Sequence, residues 1–432
     1  SFQGTANVTS MSPGSTVTVT PSANTTTVNV GTSNQTVIQW TPTNAAVGGV
    51  VQFQDLNTTA NFVSSGVTNY VVLNRILSPT PADQIRLDGN VNANNGGRIW
   101  FYTPGGFIIG STARFDVGGL VLSTSDISET GGLLGPSGNR ISFTGARADS
   151  SIQIQNNAVL GARNAGSYVA LVAPRIVQAG VIDVNGNAAL VAAEAADITF
   201  TPSGLFNIAV SVGSGDTNGI VHTGTTAGAA STNPDTDAQR IYMVAVPKNQ
   251  AMTMLLSGRV GYAAAVSATV ENGAVILGAG YGTDAAGNLD FAPSGAGGTV
   301  GVALGTAGTT DQLSVTSRSE GRASGSFDIN VGYGESLAIA DLGGSGQTIG
   351  ATWRGDNGVN VAVSNGGTVT SSGDLVFAAG NGRIGSNINF TVSSGGTGGG
   401  VVNVGGNFTL DASGKSTAPA ASGGNIQLGM TG

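Results

Sequence analysis

The stretch of residues 96–127 constrains the fold more than any other part of this chain. It breaks into short apolar runs at 99–102 (IWFY), 107–109 (FII) and 120–122 (LVL), and each run ends at a Gly, a Pro or a small polar residue. Strands this short, joined by tight turns and without helical spacing, are typical of a β-solenoid. Similar runs recur from residue 67 to residue 200 at spacings of roughly 8–12 residues, which predicts two to three strands per coil. The sequence therefore predicts an all-β chain wound into a solenoid.

The composition supports a folded, strand-rich chain. Glycine accounts for 70 of the 432 residues and proline for 13, which fits tight strand corners better than collagen or a proline-rich linker. Hydrophobic residues make up 40% of the chain, whereas charged residues make up 9%, compared with roughly 25% in an average domain. A large core is therefore expected.

Charge and cysteine content exclude several classes of partner. The net charge is −8, and Lys248 and Lys415 are the only lysines. Binding to nucleic acid needs a basic face, so nucleic acid is not an expected partner. There is no cysteine, and no apolar run reaches the roughly 18 residues of a membrane-spanning helix. The chain is thus not expected to span a membrane with a helix.

The distribution of strands and polar stretches divides the chain into four segments. Residues 1–45 contain alternating runs and are expected to form a β cap, because an uncovered solenoid end exposes backbone groups and core. Residues 46–200 hold the densest strands. Residues 201–262 are expected to be a loop or insertion region, with a polar loop at 213–237 leaving the solenoid. Residues 263–432 resume as Gly-rich solenoid repeats that we expect to continue in a longer protein.

Sequence motifs between residues 35 and 200 follow the order of a known family. They are VIQW at 37–40, VVLNRI at 71–76, GNVNANNGGRIWF at 89–101, ARFDVGGLVLSTSDI at 113–127, VALVAPRIVQA at 169–179 and AALVAAEAADITF at 188–200. Together they resemble the two-partner-secretion (haemagglutination activity) domain of filamentous-haemagglutinin-type exoproteins. The resemblance implies a right-handed parallel β-helix, here with an N-terminal β cap and extra-helical loops. It also implies export through an outer-membrane transporter and makes residues 46–200 a secretion-type domain.

The same resemblance selects residues for the turn and for transporter recognition. These are Asn74, Arg75, Thr103, Pro104, Gly105, Gly106, Gly118 and Gly119. Family members usually carry Asn-Pro-Asn-Gly or Asn-Pro-Asn-Leu at the central turn, where this chain has Thr-Pro-Gly-Gly. Glycine gives the freedom at positive φ that asparagine also tolerates, so the turn is expected to persist. A divergent branch with its own transporter is expected. From the residues alone, Asn74 and Arg75 favour a structural role in a turn or an internal ladder.

Residues able to carry catalysis are sparse. His222 is the only histidine and is expected in a polar loop, so neither a Ser–His triad nor a histidine metal site is predicted. A polysaccharide-cleaving groove would need paired acids. The candidates, spread among turns and loops, are Asp183, Glu194, Asp197, Asp216, Asp235 and Asp237.

Two further patterns suggest sites only weakly. Alternation would point Asp235 and Asp237 the same way, as in a cation or sugar site, although a solvated loop is favoured. Residues 280–290 have the Gly and Asp content of a calcium turn but lack its period. Trp40, Trp100 and Phe101 are expected to pack in the core or cap rather than to stack on sugars. No cofactor or metal is predicted.

Three functions follow from these observations. The first is a non-enzymatic secreted adhesin, fibre or stalk protein at the surface of a Gram-negative bacterium, with an outer-membrane transporter as partner. Surface glycans or self-association are further partners to consider. The second is a filament subunit in which residues 1–30 donate a strand to a neighbour. The third is a polysaccharide-active enzyme on the same scaffold.

Overall fold

A computed structural model defines the fold. It describes residues 1–202, 204–229, 239–246, 248, 252–256, 258–260, 274–279, 282–283, 289–290, 300–304, 312–315, 318–323, 326–331, 336–339, 351–355, 358–364, 366–371, 374–380, 385–395, 398–413 and 423–431. Every regular element in these ranges is a β-strand.

The strands follow one another at short intervals along the chain. The first fourteen are β1 (Gly4–Met11), β2 (Thr18–Pro21), β3 (Thr25–Asn29), β4 (Gln35–Pro42), β5 (Val50–Gln54), β6 (Thr59–Val63), β7 (Val71–Ile76), β8 (Gln84–Leu87), β9 (Asn90–Ala93), β10 (Arg98–Tyr102), β11 (Gly106–Ile109), β12 (Arg114–Asp116), β13 (Gly119–Ser123) and β14 (Ser125–Ile127). The next fourteen are β15 (Arg140–Ala146), β16 (Ser151–Ile154), β17 (Val159–Ala173), β18 (Arg175–Gln178), β19 (Val181–Phe200), β20 (Phe206–Gly213), β21 (Ile220–His222), β22 (Thr225–Ala227), β23 (Ile241–Ala245), β24 (Met252–Leu256), β25 (Gly258–Val260), β26 (Ala274–Ala279), β27 (Gly282–Thr283) and β28 (Leu289–Asp290). The last fourteen are β29 (Val300–Leu304), β30 (Gln312–Val315), β31 (Arg318–Ala323), β32 (Ser326–Val331), β33 (Ser336–Ile339), β34 (Ala351–Gly355), β35 (Gly358–Val363), β36 (Thr368–Ser371), β37 (Leu375–Ala379), β38 (Ile388–Gly395), β39 (Gly398–Gly399), β40 (Val401–Val404), β41 (Phe408–Asp411) and β42 (Ile426–Thr431).

Most strands pair in parallel within three ladders. Ladder A contains β4, β7, β10, β13, residues 169–173 of β17, residues 188–192 of β19, and then β23, β26, β31, β34, β37 and β41. Ladder B contains β5, β8, β11, β16, β18, β21, β24, β29, β32, β35, β38 and β42. Ladder C contains β3, β6, β9, β12, residues 159–162 of β17, residues 181–184 of β19, and then β22, β25, β30, β33, β36 and β40.

The chain visits ladders A, B and C in turn and then returns to A beside the previous A strand. We call one such set of three strands a level, so level 1 is β4–β5–β6 and level 3 is β10–β11–β12. The prediction of an all-β fold of stacked parallel strands is confirmed. It follows from the sequence because short strands with Gly and Asn corners close each level by pairing with the next.

Ladders B and C have one buried and one exposed face. In β8, for example, Ile85 and Leu87 are buried while Gln84 and Arg86 are partly exposed. Such alternation is expected of strands that cover a core on one side only. Where side chains are described, the inward residues of the three ladders belong to one apolar core.

From β7 to β23, ladder A is buried on both faces. These strands are mostly apolar, and all five residues of β13 are buried. The outward face is covered by an antiparallel sheet of β14, β15, residues 193–200 of β19, and β20. This outer sheet and ladder A share a second core that includes Leu73, Trp100, Val121, Ile198 and Ile208. Parallel strands that are covered on both sides are expected to lack polar alternation.

The first level is covered by the N-terminal strands. β1 pairs antiparallel with β4, and β2 forms a hairpin with β3. The Phe2 ring lies 5.2 Å from Trp40 and 5.0 Å from Phe53, measured between ring centroids. This aromatic cluster closes the apolar core at that end.

Residues 201–229 differ from the expected loop. They contain β20 of the outer sheet and β21 and β22 of ladders B and C. The polar composition hid β21 and β22, whose buried residues are Ile220, His222 and Thr226. In the described part of the chain, no helix has the length and apolar character needed to cross a membrane.

Candidate functional site

Six of the eight residues selected by resemblance lie together. Asn74 and Arg75 are on β7, and Thr103 to Gly106 form the turn from β10 to β11. In the parallel register Asn74 lies beside Phe101 and Arg75 beside Tyr102. All six therefore lie at the A-to-B corner of levels 2 and 3. Gly118 and Gly119 lie at the opposite end of ladder A, at the C-to-A corner.

Asn74 points into the interior and is fully buried. Its Oδ1 accepts a hydrogen bond from Trp40 Nε1 at 3.0 Å, and its Nδ2 donates to the Trp100 carbonyl oxygen at 3.2 Å. The side chain thus links levels 1, 2 and 3. A buried amide is tolerated in an apolar core because its polar atoms are paired.

Arg75 points outward and fastens the outer sheet to ladder A. Its Nε donates to Asp126 Oδ1 at 2.9 Å, its Nη1 to Glu129 Oε2 at 2.6 Å, and its Nη2 to the Ile127 carbonyl oxygen at 2.8 Å. Burial lowers the pKa of Arg75, but the hydrogen bonds to Glu129 and Asp126 outweigh it, so the pKa is raised. The guanidinium stays charged at any relevant pH.

The central turn is tightly packed. The Thr103 hydroxyl donates to the Ile76 carbonyl oxygen at 2.7 Å, and Thr103 is buried. A Cβ at Gly105 would overlap the Asp83 backbone, and Gly106 has a φ of +111°. Only glycine adopts that φ without strain. Both glycines are thus needed for the shape of this turn, while Pro104 remains partly exposed.

Gly118 and Gly119 allow close stacking at the C-to-A corner. A Cβ at Gly118 would overlap the Gly96 backbone, and a Cβ at Gly119 would lie 2.7 Å from the Tyr168 ring. Tyr168 in turn accepts a hydrogen bond from Trp100 Nε1 at 2.8 Å. These two glycines therefore shape the wall between ladder A and the outer sheet.

A cavity of about 450 Å³ lies at this corner. It separates the C-to-A turns of successive levels from the outer sheet. Its lining includes Arg98, Tyr168 and Phe200, together with the side-chain amides of Asn69, Asn139 and Asn164. The sequence motifs gave no signal for it, because its residues come from six separate segments.

His222 corrects a prediction. It was expected in a polar loop, yet it is fully buried on β21, with Nε2 2.8 Å from Thr226 Oγ1. The aromatic residues behave as expected, since Trp40 and Phe101 pack in the inner core and Trp100 in the outer one.

The candidate acids do not gather in one groove. Asp183 pairs with Arg163 at 2.7 Å, Glu194 with Lys248 at 2.6 Å, and Asp216 with Arg175 at 3.4 Å. Asp197 lies on the outer sheet beside Ser142. Asp235 and Asp237 lie outside the described residues, as does most of 280–290. Across the described ranges, no three His, Cys, Asp or Glu side chains are close enough to hold a metal ion.

Comparison with known proteins gives a structural similarity. No protein-family model and no curated protein sequence matches the chain. Among solved structures, the HMW1 secretion domain from Haemophilus influenzae matches with a TM-score of 0.54 and 17% identity over 100% of both chains. This chain shares the fold of a secretion domain. The filamentous hemagglutinin secretion domain matches 91% of this chain and 98% of its own length, with 14% identity and a TM-score of 0.35.

The similarity to the HMW1 domain agrees with the resemblance drawn from the sequence motifs. At this identity it concerns the fold, so the roles of individual residues rest on the contacts within this chain.

Proposed function

We propose that this chain is the export domain and first stalk segment of a secreted, non-enzymatic surface adhesin or fibre of a Gram-negative bacterium. It leaves the cell through an outer-membrane transporter of the two-partner type and forms a right-handed parallel β-helix. In this proposal residues 1–45 cap the helix, 46–200 are the secretion-type domain and 263–432 the stalk repeats, while 201–262 are an insertion region that also contains the ladder strands β21 to β25. The observation that carries it is the end-to-end fold similarity to the HMW1 secretion domain.

The burial of the candidate recognition residues supports a specific order of events. Asn74 and Thr103 are buried and hydrogen-bonded within the chain, and Arg75 is held by two carboxylates. A transporter can contact these side chains directly only before the chain folds. The proposal is therefore that the transporter binds Asn74, Arg75 and the central turn at residues 103–106 while they are unfolded. Folding of levels 2 and 3 outside the cell then withdraws these residues.

Stacking of levels supplies a driving force for this order. Each strand of a ladder pairs with the strand of the previous level, so a folded level presents a template for the next. At each step, apolar side chains are transferred from water into the common core, which is favourable. Export needs no other energy source if folding outside the cell prevents the chain from returning.

A secretion assay tests the proposal. The full chain, with a cleavable signal peptide, is co-expressed with its two-partner transporter, and the chain is measured in the medium and the periplasm. We expect the unaltered chain in the medium. Pro104→Ala should retain it in the periplasm, because proline restricts the conformations of the turn in the unfolded segment.

Pro81→Ala is the matched control. Pro81 is an exposed proline in the A-to-B turn of the preceding level, outside the matched motif, so its replacement should leave secretion unchanged. Thermal unfolding of both purified variants should match that of the unaltered chain. Equal secretion of the two variants would contradict recognition at the central turn, and secretion without the transporter would contradict the export route.

Strand donation to a neighbouring copy finds less support. β1 is hydrogen-bonded to β4 of the same chain along Gly4 to Met11, and β2 pairs with β3. Donation would first have to break these pairings. The adhesin or fibre function is therefore preferred.

A further inference from the structure

The cavity at the C-to-A corner has the size of a small-molecule site. Its volume of about 450 Å³ falls within the range of roughly 300–1,000 Å³ found for ligand pockets. Asn69, Arg98 and Asn164, at the C-to-A corners, contribute to its lining, as do Asn139, next to β15, and Phe200, at the end of β19. Arg98 is held by ladder pairing with Val71 and Gly119, and Phe200 by pairing with Phe206 in the outer sheet.

Arg98 places a positive charge in this cavity. Its Nε and Nη2 donate to the Asn69 carbonyl oxygen at 2.9 and 2.6 Å, which fixes the guanidinium. Arg98 has no carboxylate partner among the described residues, whereas Arg75, Arg86, Arg147, Arg163 and Arg175 each have one. None of the cavity-lining residues is an Asp or a Glu. A ligand that brings a carboxylate would therefore complete the pairing.

The charge of Arg98 acts on Tyr168, which also lines the cavity. Burial raises the pKa of Tyr168, and the nearby Arg98 charge opposes this rise, as does the hydrogen bond from Trp100. The guanidinium is thus close enough to Tyr168 to influence its ionisation. The Tyr168 and Phe200 rings, with centroids 5.0 Å apart, add apolar surface next to the charge.

We propose that this cavity binds a carboxylated sugar, such as a uronic acid unit of an acidic polysaccharide. The sugar carboxylate pairs with Arg98, because a guanidinium matches a carboxylate in shape and charge. The hydroxyl groups bond to the amides of Asn69, Asn139 and Asn164, which can donate and accept. The apolar face of the sugar ring lies against Phe200.

This site deepens the adhesin part of the proposed function, and its test is independent of export. Purified full chain is titrated with D-glucuronate and, as a neutral match of the same ring, D-glucose, by calorimetry. We expect glucuronate to bind more tightly than glucose. Arg98→Gln should weaken glucuronate binding about tenfold, the loss of one charged pairing, without changing the response to glucose.

Arg114→Gln is the matched control. Arg114 also lacks a carboxylate partner among the described residues and also fastens a corner, since its Nη1 donates to the carbonyl oxygens of Ser111, Ala113 and Asn157. It does not line the cavity, so its replacement should leave glucuronate binding intact. Equal loss in the two variants, or equal binding of the two sugars, would overturn the proposal.

A measurement on the unaltered chain covers the case in which Arg98→Gln fails to fold. Added salt should weaken glucuronate binding and leave glucose binding unchanged, because salt screens an exposed charge pair. Glucuronate binding that does not respond to salt would refute the pairing. If the sugar fails to bind while the chain is still secreted through its transporter, the sugar site fails and the export function stands.

Discussion

Replacement of Asn74 by alanine tests whether this residue is a structural link between levels. Asn74→Ala removes the acceptor of the Trp40 indole N–H and the donor to the Trp100 carbonyl oxygen. Both partners are fully buried. The variant therefore leaves one buried donor unsatisfied in the inner core.

The expected cost follows from these contacts. A buried donor left without a partner costs about 1–3 kcal/mol, and the small void left by the amide adds about 1 kcal/mol. Asn74→Ala should thus destabilise levels 1 to 3 by about 2–4 kcal/mol. Trp40→Phe removes the same hydrogen bond from the other side, so the double variant should cost about 1–2 kcal/mol less than the sum of the single ones.

Hydrogen exchange read by mass spectrometry is the suitable assay, because stacked levels need not unfold in one step. Peptides from β4, β7 and β10 report the opening free energy of the first three levels. Asn92→Ala is the control, since Asn92 is exposed and its side chain bonds only to Asn61 Oδ1 at 3.3 Å. Its effect should stay below about 0.5 kcal/mol.

The reasoning would be refuted if Asn74→Ala changed the opening free energy no more than Asn92→Ala does. A coupling near zero between Asn74 and Trp40 would likewise show that their hydrogen bond contributes nothing. Either result would mean that Asn74 has no structural role, and recognition by the transporter would be its only proposed role.

Two further variants test the outer sheet and the alkaline limit of stability. Arg75→Met should lower the opening free energy of residues 125–146 by about 1–2 kcal/mol, measured by hydrogen exchange. The reason is that Arg75 is largely buried between two half-exposed carboxylates. Arg147→Met, which removes an exposed pair, should have an effect below about 0.5 kcal/mol, and equal effects would contradict the fastening role. Burial, with a smaller contribution from Asp126, raises the pKa of Tyr102 to about 12. The neutral Tyr102 hydroxyl therefore makes its full contribution to stability below about pH 10, the pKa of tyrosine in the unfolded chain. This contribution is lost as the pH rises from there through the higher pKa of the folded state. Tyr102→Phe should reduce that loss in urea unfolding followed by circular dichroism, and an unchanged slope would count against it.

The sequence predicts the positions of the strands better than it predicts which elements pack against them. Alternation in β8 and the tight corner at Gly105 and Gly106 are local properties, so they can be inferred from neighbouring residues. The apolar run of β13 is different. A strand covered on both faces has the same pattern whichever element covers it, so the outer sheet could not be predicted from ladder A.

The candidate site shows the same division. The alternation of β7 places Val72, Asn74 and Ile76 on one face, which allows an internal position for Asn74. Its partner Trp40 lies 34 residues away, and no local pattern relates the two. His222 was misplaced for a similar reason, because a short strand within a polar stretch gives too few apolar residues to show a period.

In a chain that emerges with its N-terminus first, the strands of the outer sheet become available later than most of the ladder A strands that they cover. The strands of this sheet come from two excursions: β14 and β15 follow the ladder A strand of level 4, and the end of β19 with β20 follows the ladder A strand of level 6. Until residue 213 is available, the outward side chains of ladder A, among them Leu73, Trp100 and Val121, lack part of their cover. A chain that has emerged only to a point between residues 124 and 213 therefore has stacked levels with an exposed apolar face, which favours aggregation. The rate at which the next ninety or so residues emerge determines how long that face stays exposed.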